Sequence, residues 1–534
     1  MTHSADVIII GAGASGLIAA LAAARHGASV IVLEKAAQLG GTASVSGGII
    51  WAPDNHHMDE PEGREPALAY FRALDHGDLR DETLEAFVDH AAETIRFLED
   101  NSRVRFTPLA SYPDYYEDRP GARPQGGRAL DSGLFAFSEL GEWKDKVAAA
   151  TIYPLTVAET PLGGATGMPE PAVLGERIAR DMRGFGQSLV GGMLEACLGV
   201  GVDIRLEHGA IALVRPDGLV SGVEVDTPDG PATFTANRGV IVATGGFEWN
   251  RDLAQTFLRG PMHYPASPPT NQGDGLKLLM KAGAALGNMT NAWWCPTIAT
   301  GDCWSDGSPR AVPVLIERTL PGSIIINQAG QRFCNEAVNY SAIAGAFQAF
   351  DPNSYAYNNQ PAWLVFDAAY KAKWPVASAQ PGAPIPDWMI EAPTLAALGD
   401  KLGVPAGALE ATVASFNTGA EQGVDPAFNR GAANYDRFYG DRSQPGARAT
   451  LGPLHDAPFY AVQLHMGVLG TNGGARTDGV GRVLDHEGAL IPGLYAAGNV
   501  IACPTGGIYA GAGGTLGPAL TFGYLAGCAA AGPN

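Results

Sequence analysis

Cysteine is scarce: Cys197, Cys295, Cys303, Cys334, Cys503 and Cys528 are the six in 534 residues. No two form a CxxC pair, and a chain this long does not need covalent staples. That excludes a disulfide scaffold and a thiolate metal site, and no metal is expected. Buried thiols in a reduced, cytoplasmic protein are the reading. Also missing is any uninterrupted apolar run of about 18–20 residues, so no transmembrane segment is expected, although peripheral membrane contact stays open. The first residues, MTHSADVIIIGAGASG, carry no basic region ahead of their apolar run, and glycines break that run at once. They read as a first strand, not a leader peptide. Positive charge is short as well, with 35 Lys and Arg against 55 Asp and Glu and a net charge of −20. Such a surface repels polyanions at long range, so no nucleic-acid partner is expected.

What is present is a globular composition, 46% hydrophobic and 17% charged, in a chain too long for one ordinary core. The opening 35 residues have a βαβ pattern: the strand-like DVIII, an alanine-rich helix ending near Gly27, and the strand-like SVIVLEK. Further strands are read in GVIVATGGF at 239–247 and GLYAAGNV at 493–500. Residues 288–455 have a different texture, with WWCP, an aromatic and proline-rich stretch, and a capped helix in GVPAGALEATVASFNTGAEQG. The expected fold is α/β (α+β overall): a Rossmann-like first domain over 1–287 and 456–534, with an inserted α+β domain over 288–455.

Gly11, Gly13 and Gly16 spell GxGxxG between the first strand and the helix. The first glycine permits the turn, the second lets backbone meet a pyrophosphate, and the third allows close helix–strand packing. Ala14 and Ser15 open the helix, whose N-terminus faces the phosphates. Glu34 ends the second strand, placed to accept hydrogen bonds from ribose hydroxyls, and Lys35 follows it. An acid here disfavours NADP. Gly41, Thr42, Ser46, Gly47 and Gly48 come directly after, Ala243, Thr244 and Gly245 follow the third strand, and Gly498, Asn499, Gly514 and Leu516 lie far downstream. A cofactor contacted from both ends of the chain is long and buried, which argues for FAD, held non-covalently.

The segments LEKAAQLGGTASVSGG, IVATGGF and RTDGVGRVLDHEGALIPGLYAAGNV resemble the flavoprotein superfamily of fumarate reductase and the 3-ketosteroid dehydrogenases. The resemblance spans essentially the whole chain, loosest around 350–400, and implies FAD in the first domain with substrate between the two. Soluble fumarate reductases place an arginine after an RFxNE motif and another in the late glycine loop. Here RFCNEAVNY has Tyr340 at the first place, and TGGIYAGAGGTLG has no arginine. A dicarboxylate is thereby disfavoured. The remaining pattern resembles the 3-ketosteroid Δ1-dehydrogenase family, which implies Tyr115, Tyr340, Tyr509 and Gly513 as site residues, with Tyr112 and Tyr116 competing for the place of Tyr115. In that family's chemistry Tyr509 O–H and Gly513 N–H would hold the C3 ketone, Tyr340 would take the C2 proton, and Tyr115 would assist it. The implied substrate is a 3-ketosteroid; the electron acceptor, a quinone among the candidates, is not readable.

The Δ4-(5α)-dehydrogenases are the nearest alternative, but they carry a serine where Gly511 stands here. A flavin dehydrogenase or ene-reductase for another flat ketone, and a non-redox FAD protein, complete the set. Trp293 and Trp294 read as pocket or core, His465 as structural, Cys503 as small packing, and HHMDEPEGREP at 56–66 as a solvated loop.

Overall fold

The computed structural model describes residues 3–532. The chain divides into two compact units: residues 1–259, 267–293 and 470–534 in the first, and 260–266 and 294–469 in the second.

The first unit is built on an eight-stranded sheet. Strand Ser4–Ile10 lies between Ala232–Val242 and Val30–Leu33, parallel to both, and Leu490–Ala496 continues the parallel order beyond Ala232–Val242. Val7, Ile8 and Ile9 are fully buried, as a strand covered on both faces requires. An antiparallel hairpin, Gly209–Val214 and Gly222–Asp226, extends the sheet from Ala232–Val242. Helix Ala14–Arg25 packs against the C-terminal helix Leu516–Ala531. The approach is close because the facing residues are small: a Cβ on Gly527 would stand 2.4 Å from the Ala19 carbonyl oxygen. Helix Asp81–Asn101 also packs against the C-terminal helix. It buries Leu84, Phe87, Val88, Ala91, Ile95 and Leu98, the spacing of one helical face. A small antiparallel sheet sets Gly126–Asp131 between Ile50–Trp51 and Thr107–Ala110.

The second unit is a six-stranded sheet in which Phe459–Thr471 pairs antiparallel with Ala362–Phe366 and Met389–Ala392. Helices Leu395–Leu402 and Ala408–Gln422 cover it, closing a core of Ile324, Ile326, Val365, Leu398, Leu409 and Phe416. The capped helix read from sequence is Ala408–Gln422, ended by Gly423. The long strand Phe459–Thr471 fixes where the chain returns. It is paired within the second unit's sheet, so the return falls at 469/470 rather than near 456, and the entry falls at 293/294 rather than 287/288. Among the described residues no helix is long and apolar enough to cross a membrane. The mixed α/β class matches the expectation from sequence.

Candidate functional site

Three glycines at the start of the first unit have three different surroundings. Gly11 takes φ +104° and turns against the strand that ends at Val242: a Cβ there would stand 2.5 Å from the Ala243 carbonyl oxygen. Gly16 is sealed against the Gly11 carbonyl, 1.9 Å from where its Cβ would lie. Gly13, at the N-terminus of helix Ala14–Arg25, has nothing within 4 Å of a Cβ position. Two glycines thus serve packing and the middle one leaves its backbone open, as a pyrophosphate cradle requires. Gly41, at the start of the short helix Gly41–Val45, is open in the same way. Glu34 accepts from the backbone N–H of Ala12 and Ala36, each at 3.0 Å. Loss of water pushes its carboxyl up, and those two N–H groups pull it back.

Around this cradle several buried polar atoms have no hydrogen-bond partner among the described residues: Thr244 Oγ1 and both side-chain polar atoms of Asn472. Asn472 lines a small cavity with Gly498, Asn499, Cys503 and Thr515. Buried polar groups are normally paired, so these atoms fit a polar ligand that is not part of the polypeptide. An open backbone at Gly13 and Gly41 with unpaired amide and hydroxyl groups nearby suits a long dinucleotide such as FAD.

Beside the cavity stands Tyr509. Its ring stacks on Tyr115, with centroids 5.6 Å apart and planes 19° from parallel, and meets Trp293 edge-on at 5.0 Å. Thr515 Oγ1 donates to the Tyr509 hydroxyl at 3.3 Å. Tyr112 lies farther along, 6.5 Å from Tyr115, while the backbone N–H of Tyr116 donates to the Tyr70 hydroxyl at 3.1 Å. Among these three sequence candidates, Tyr115 stacks on Tyr509. Gly513 adopts φ +90°, and a Cβ there would collide with the Ile50–Trp51 peptide at 2.5 Å. No other residue suits that position.

The segment carrying Tyr115 rests on buried charge. Asp114, directly before it, accepts from Trp51 Nε1 at 2.8 Å, from Arg128 Nη1 at 2.6 Å and from Arg123 N at 2.9 Å. Arg128 also grips Glu62 through Nε and Nη2, at 2.9 and 2.8 Å. Burial pushes the Asp114 carboxyl up, and the Arg128 guanidinium opposes that shift.

In the second unit Tyr340 is buried at the end of RFCNEAVNY. The motif's charged residues hold the segment in place. Glu336 accepts from Arg332 Nε and Nη2, both at 2.7 Å, and from Ile325 N at 3.1 Å. Arg430 Nη1 reaches the same carboxylate at 3.3 Å. Arg318 donates to the carbonyls of Glu336 and Val338, the latter at 2.6 Å. Arg332 and Arg430 are thus occupied by the fold.

The FAD binding domain family matches residues 6–516. The chain belongs to that family. It is 41% identical to the 4-oxocyclohexanecarboxylate 2-dehydrogenase of Sinomonas cyclohexanicum, across 99% of this chain and 93% of that one. It is 37% identical to the 3-oxosteroid 1-dehydrogenase of Mycobacterium tuberculosis, across 98% and 97%. Among solved structures it superposes on the 3-ketosteroid delta1-dehydrogenase of Sterolibacterium denitrificans, in complex with 1,4-androstadiene-3,17-dione, with a TM-score of 0.90, 32% identity and coverage of 99% and 100%. As a member of this family of flavoproteins, in the branch that holds the 3-oxosteroid 1-dehydrogenases, the chain is an FAD-dependent oxidoreductase acting on CH–CH bonds.

For a flavoprotein of this family the remaining polar groups are informative. Glu248 is buried and collects donors from separate parts of the first unit. Ser267 Oγ lies at 2.6 Å, Asn271 Nδ2 at 2.7 Å and Thr471 N at 3.2 Å. Asn271 Nδ2 also donates to Thr42 Oγ1 at 2.8 Å, tying the network to the 40–48 segment. Neither Glu248 nor Asn472 stood out in sequence, because each takes its meaning from residues distant along the chain.

The other candidates have the following surroundings. Lys35 is exposed and pairs with Asp274 at 2.5 Å. Ser46 closes its own turn, donating to the Ala43 carbonyl at 2.7 Å and accepting from Gly48 N at 3.1 Å. Gly47 lies 3.5 Å from Leu162 at its Cβ position, and Gly245 faces the Asn271 side chain at 2.9 Å. Gly498 backs onto Ser15, and Gly514 backs onto the Tyr509 ring, ahead of the helix that Leu516 begins. His465 packs against Tyr264 at 4.6 Å, and burial pushes its pKa down to about 4. Burial likewise pushes the Cys503 thiol up to about 11, so it is not a ready nucleophile.

Proposed function

We propose that this enzyme removes the hydrogens at C1 and C2 of a 3-ketosteroid, leaving a C1=C2 double bond. The observation that carries the reading is the Tyr509 ring, buried, stacked on Tyr115 and four residues before the glycine whose φ is +90°. Tyr509 O–H and Gly513 N–H hold the C3 carbonyl oxygen. Charge developing there as the C2 proton leaves is stabilised as in an oxyanion hole. Tyr340 takes that proton. A free phenol titrates near pH 10, so the base needs support, and this reading gives Tyr115 the task of favouring the phenolate. Gly13, Glu34 and Gly41 would hold the ADP half of FAD, and Asn472, Asn499 and Thr515 would offer polar groups to the rest of it. Bound FAD supplies the two-electron acceptor for the hydrogen leaving C1.

A second reading keeps the chemistry and shortens the substrate. The 41% identity to a 4-oxocyclohexanecarboxylate dehydrogenase favours a single-ring ketone bearing a carboxylate. Arg332 and Arg430 are committed to Glu336, whereas Arg318 Nη2 is buried with no partner among the described residues.

The test offers purified yellow enzyme 5α-androstane-3,17-dione and, separately, 4-oxocyclohexanecarboxylate, with an artificial electron acceptor and NMR of the products. A C1=C2 steroid product at the higher kcat/KM supports the proposal. Preference for the small acid replaces it with the second reading. A C4=C5 product overturns the regiochemistry, and failure of both compounds to bleach the flavin anaerobically removes both substrates.

A further inference from the structure

The segment 52–63 is more than a solvated loop. Asn55 is buried and donates through Nδ2 to the carbonyls of Ala52 and Gly127, at 2.8 and 2.9 Å, while its Oδ1 accepts from His57 N at 3.1 Å. The backbone is thereby fixed just where two adjacent histidines leave it. Their rings stand 4.2 Å apart, and both turn their Nε2 atoms to one carboxylate. His56 Nε2 is 2.7 Å from Glu99 Oε2, and His57 Nε2 is 3.0 Å from Glu99 Oε1. The three ligand atoms all lie within 4.8 Å of one another. Glu99 sits in the last turn of helix Asp81–Asn101, and Phe106 N donates to its Oε1 at 3.0 Å. The nearby Arg105 guanidinium is turned to the carbonyls of Glu99, Ser102 and Val104, not to this carboxylate.

The geometry points to a zinc-class divalent cation site formed by His56, His57 and Glu99. Ligand atoms about 2.0–2.1 Å from a tetrahedral zinc stand roughly 3.3 Å from each other. The 2.7 and 3.0 Å separations, one to each Glu99 oxygen, would open by a few tenths of an ångström, and the two imidazoles, whose ligand atoms lie within 4.8 Å, would draw in around the ion. Two imidazoles and one carboxylate suit zinc, nickel or copper and not magnesium or calcium, which prefer all-oxygen shells. Side-chain exposures of 30, 23 and 13% leave the fourth position to solvent while keeping the ligands ordered. The bound ion clamps segment 52–63 to the end of the helix. The same segment carries Glu62, which holds Arg128 and through it Asp114, next to Tyr115. The ion therefore steadies the base on which the Tyr115 segment rests, without touching substrate.

The test is calorimetric titration of EDTA-treated, FAD-loaded enzyme with zinc chloride, and with magnesium chloride as the control. One zinc per chain is expected, with no magnesium heat at the same concentrations, and at least a tenfold loss of zinc affinity in His57→Gln and in Glu99→Gln. His56→Gln, altering the more exposed ring, serves as well if His57→Gln does not fold with its flavin. Zinc bound equally well by the variants, or no stoichiometric zinc in the unaltered enzyme, overturns the site.

Discussion

The rings of Tyr115 and Tyr509 lie stacked, 5.6 Å apart, because backbone sets them there: the Ala510 carbonyl accepts from Tyr115 N at 3.0 Å. The Tyr70 hydroxyl donates to the same carbonyl at 2.8 Å. One peptide oxygen thus joins the Tyr115 segment, the late glycine loop and the helix carrying Tyr70. The phenol is presented by a frame that does not depend on its own hydroxyl.

With that frame in place Tyr509→Phe removes the phenol donor, and with it the acceptor of Thr515 Oγ1. The ring contacts with Tyr115 and Trp293 remain, and FAD stays bound. Loss of one oxyanion donor lowers kcat on the order of a hundred- to a thousandfold. Stopped-flow anaerobic flavin bleaching reads this directly. Bleaching at the unaltered rate removes Tyr509 from the reaction. Tyr340→Phe is expected to stop bleaching while leaving the flavin spectrum intact.

Asp114→Ala strikes the support, not the ring. It removes one of the two carboxylates around the Arg128 guanidinium, which is 1% exposed, leaving Nη1 without its partner, and it orphans Trp51 Nε1. Breaking a buried charged pair by removing one partner costs about 3–5 kcal/mol. Thermal unfolding followed by flavin release is expected to shift well below the unaltered protein, with kcat falling as the Tyr115 segment loosens. An unchanged midpoint shows that Arg128 is satisfied by Glu62 alone.

The features legible in sequence were those whose signal is local. Gly11, Gly13 and Gly16 are spaced by the turn they build, Glu34 by the strand it ends, and Tyr509 stands out as one large residue among glycines. The Asp114–Arg128–Glu62 cluster and the Glu248 network were not legible, because each joins side chains from three or more distant segments. The Lys35 side chain, two residues past the strand Val30–Leu33, pairs with Asp274, a partner distant in sequence. The return of the chain to the first unit was read too early because nothing local marks which sheet Phe459–Thr471 joins.

Gly511 stands where the sequence reading expects glycine and not serine, and the structure gives the glycine a steric reason. A Cβ there would stand 2.6 Å from Trp51 Cδ1, and Trp51 is held by Asp114 and packed on Phe71 and Phe87. Gly511→Ser is therefore expected to lose about 1–3 kcal/mol of stability through overpacking. It is not expected to redirect the reaction. NMR of the product from 5α-androstane-3,17-dione checks this, and a shift to C4=C5 refutes it.

His465 supplies a pH signature that separates structure from catalysis. Burial, with His263 adding repulsion, holds its pKa at about 4 against an ordinary 6.5. Above pH 6.5 it is neutral in both folded and unfolded chains. Between 6.5 and 4 the unfolded chain binds a proton that the folded one refuses, so stability falls as pH falls. The buried carboxyls of Glu248 and Asp114, pushed up by burial, act with the opposite sign as the medium acidifies. The effect must therefore be read as a difference. His465→Gln is expected to unfold with a shallower loss of stability between pH 6.5 and 4 than the unaltered protein, and to keep kcat within about twofold at about pH 7. The measurement is urea unfolding across that pH range alongside steady-state assay. A collapse of kcat with the unfolding behaviour unchanged makes His465 a participant in the reaction instead.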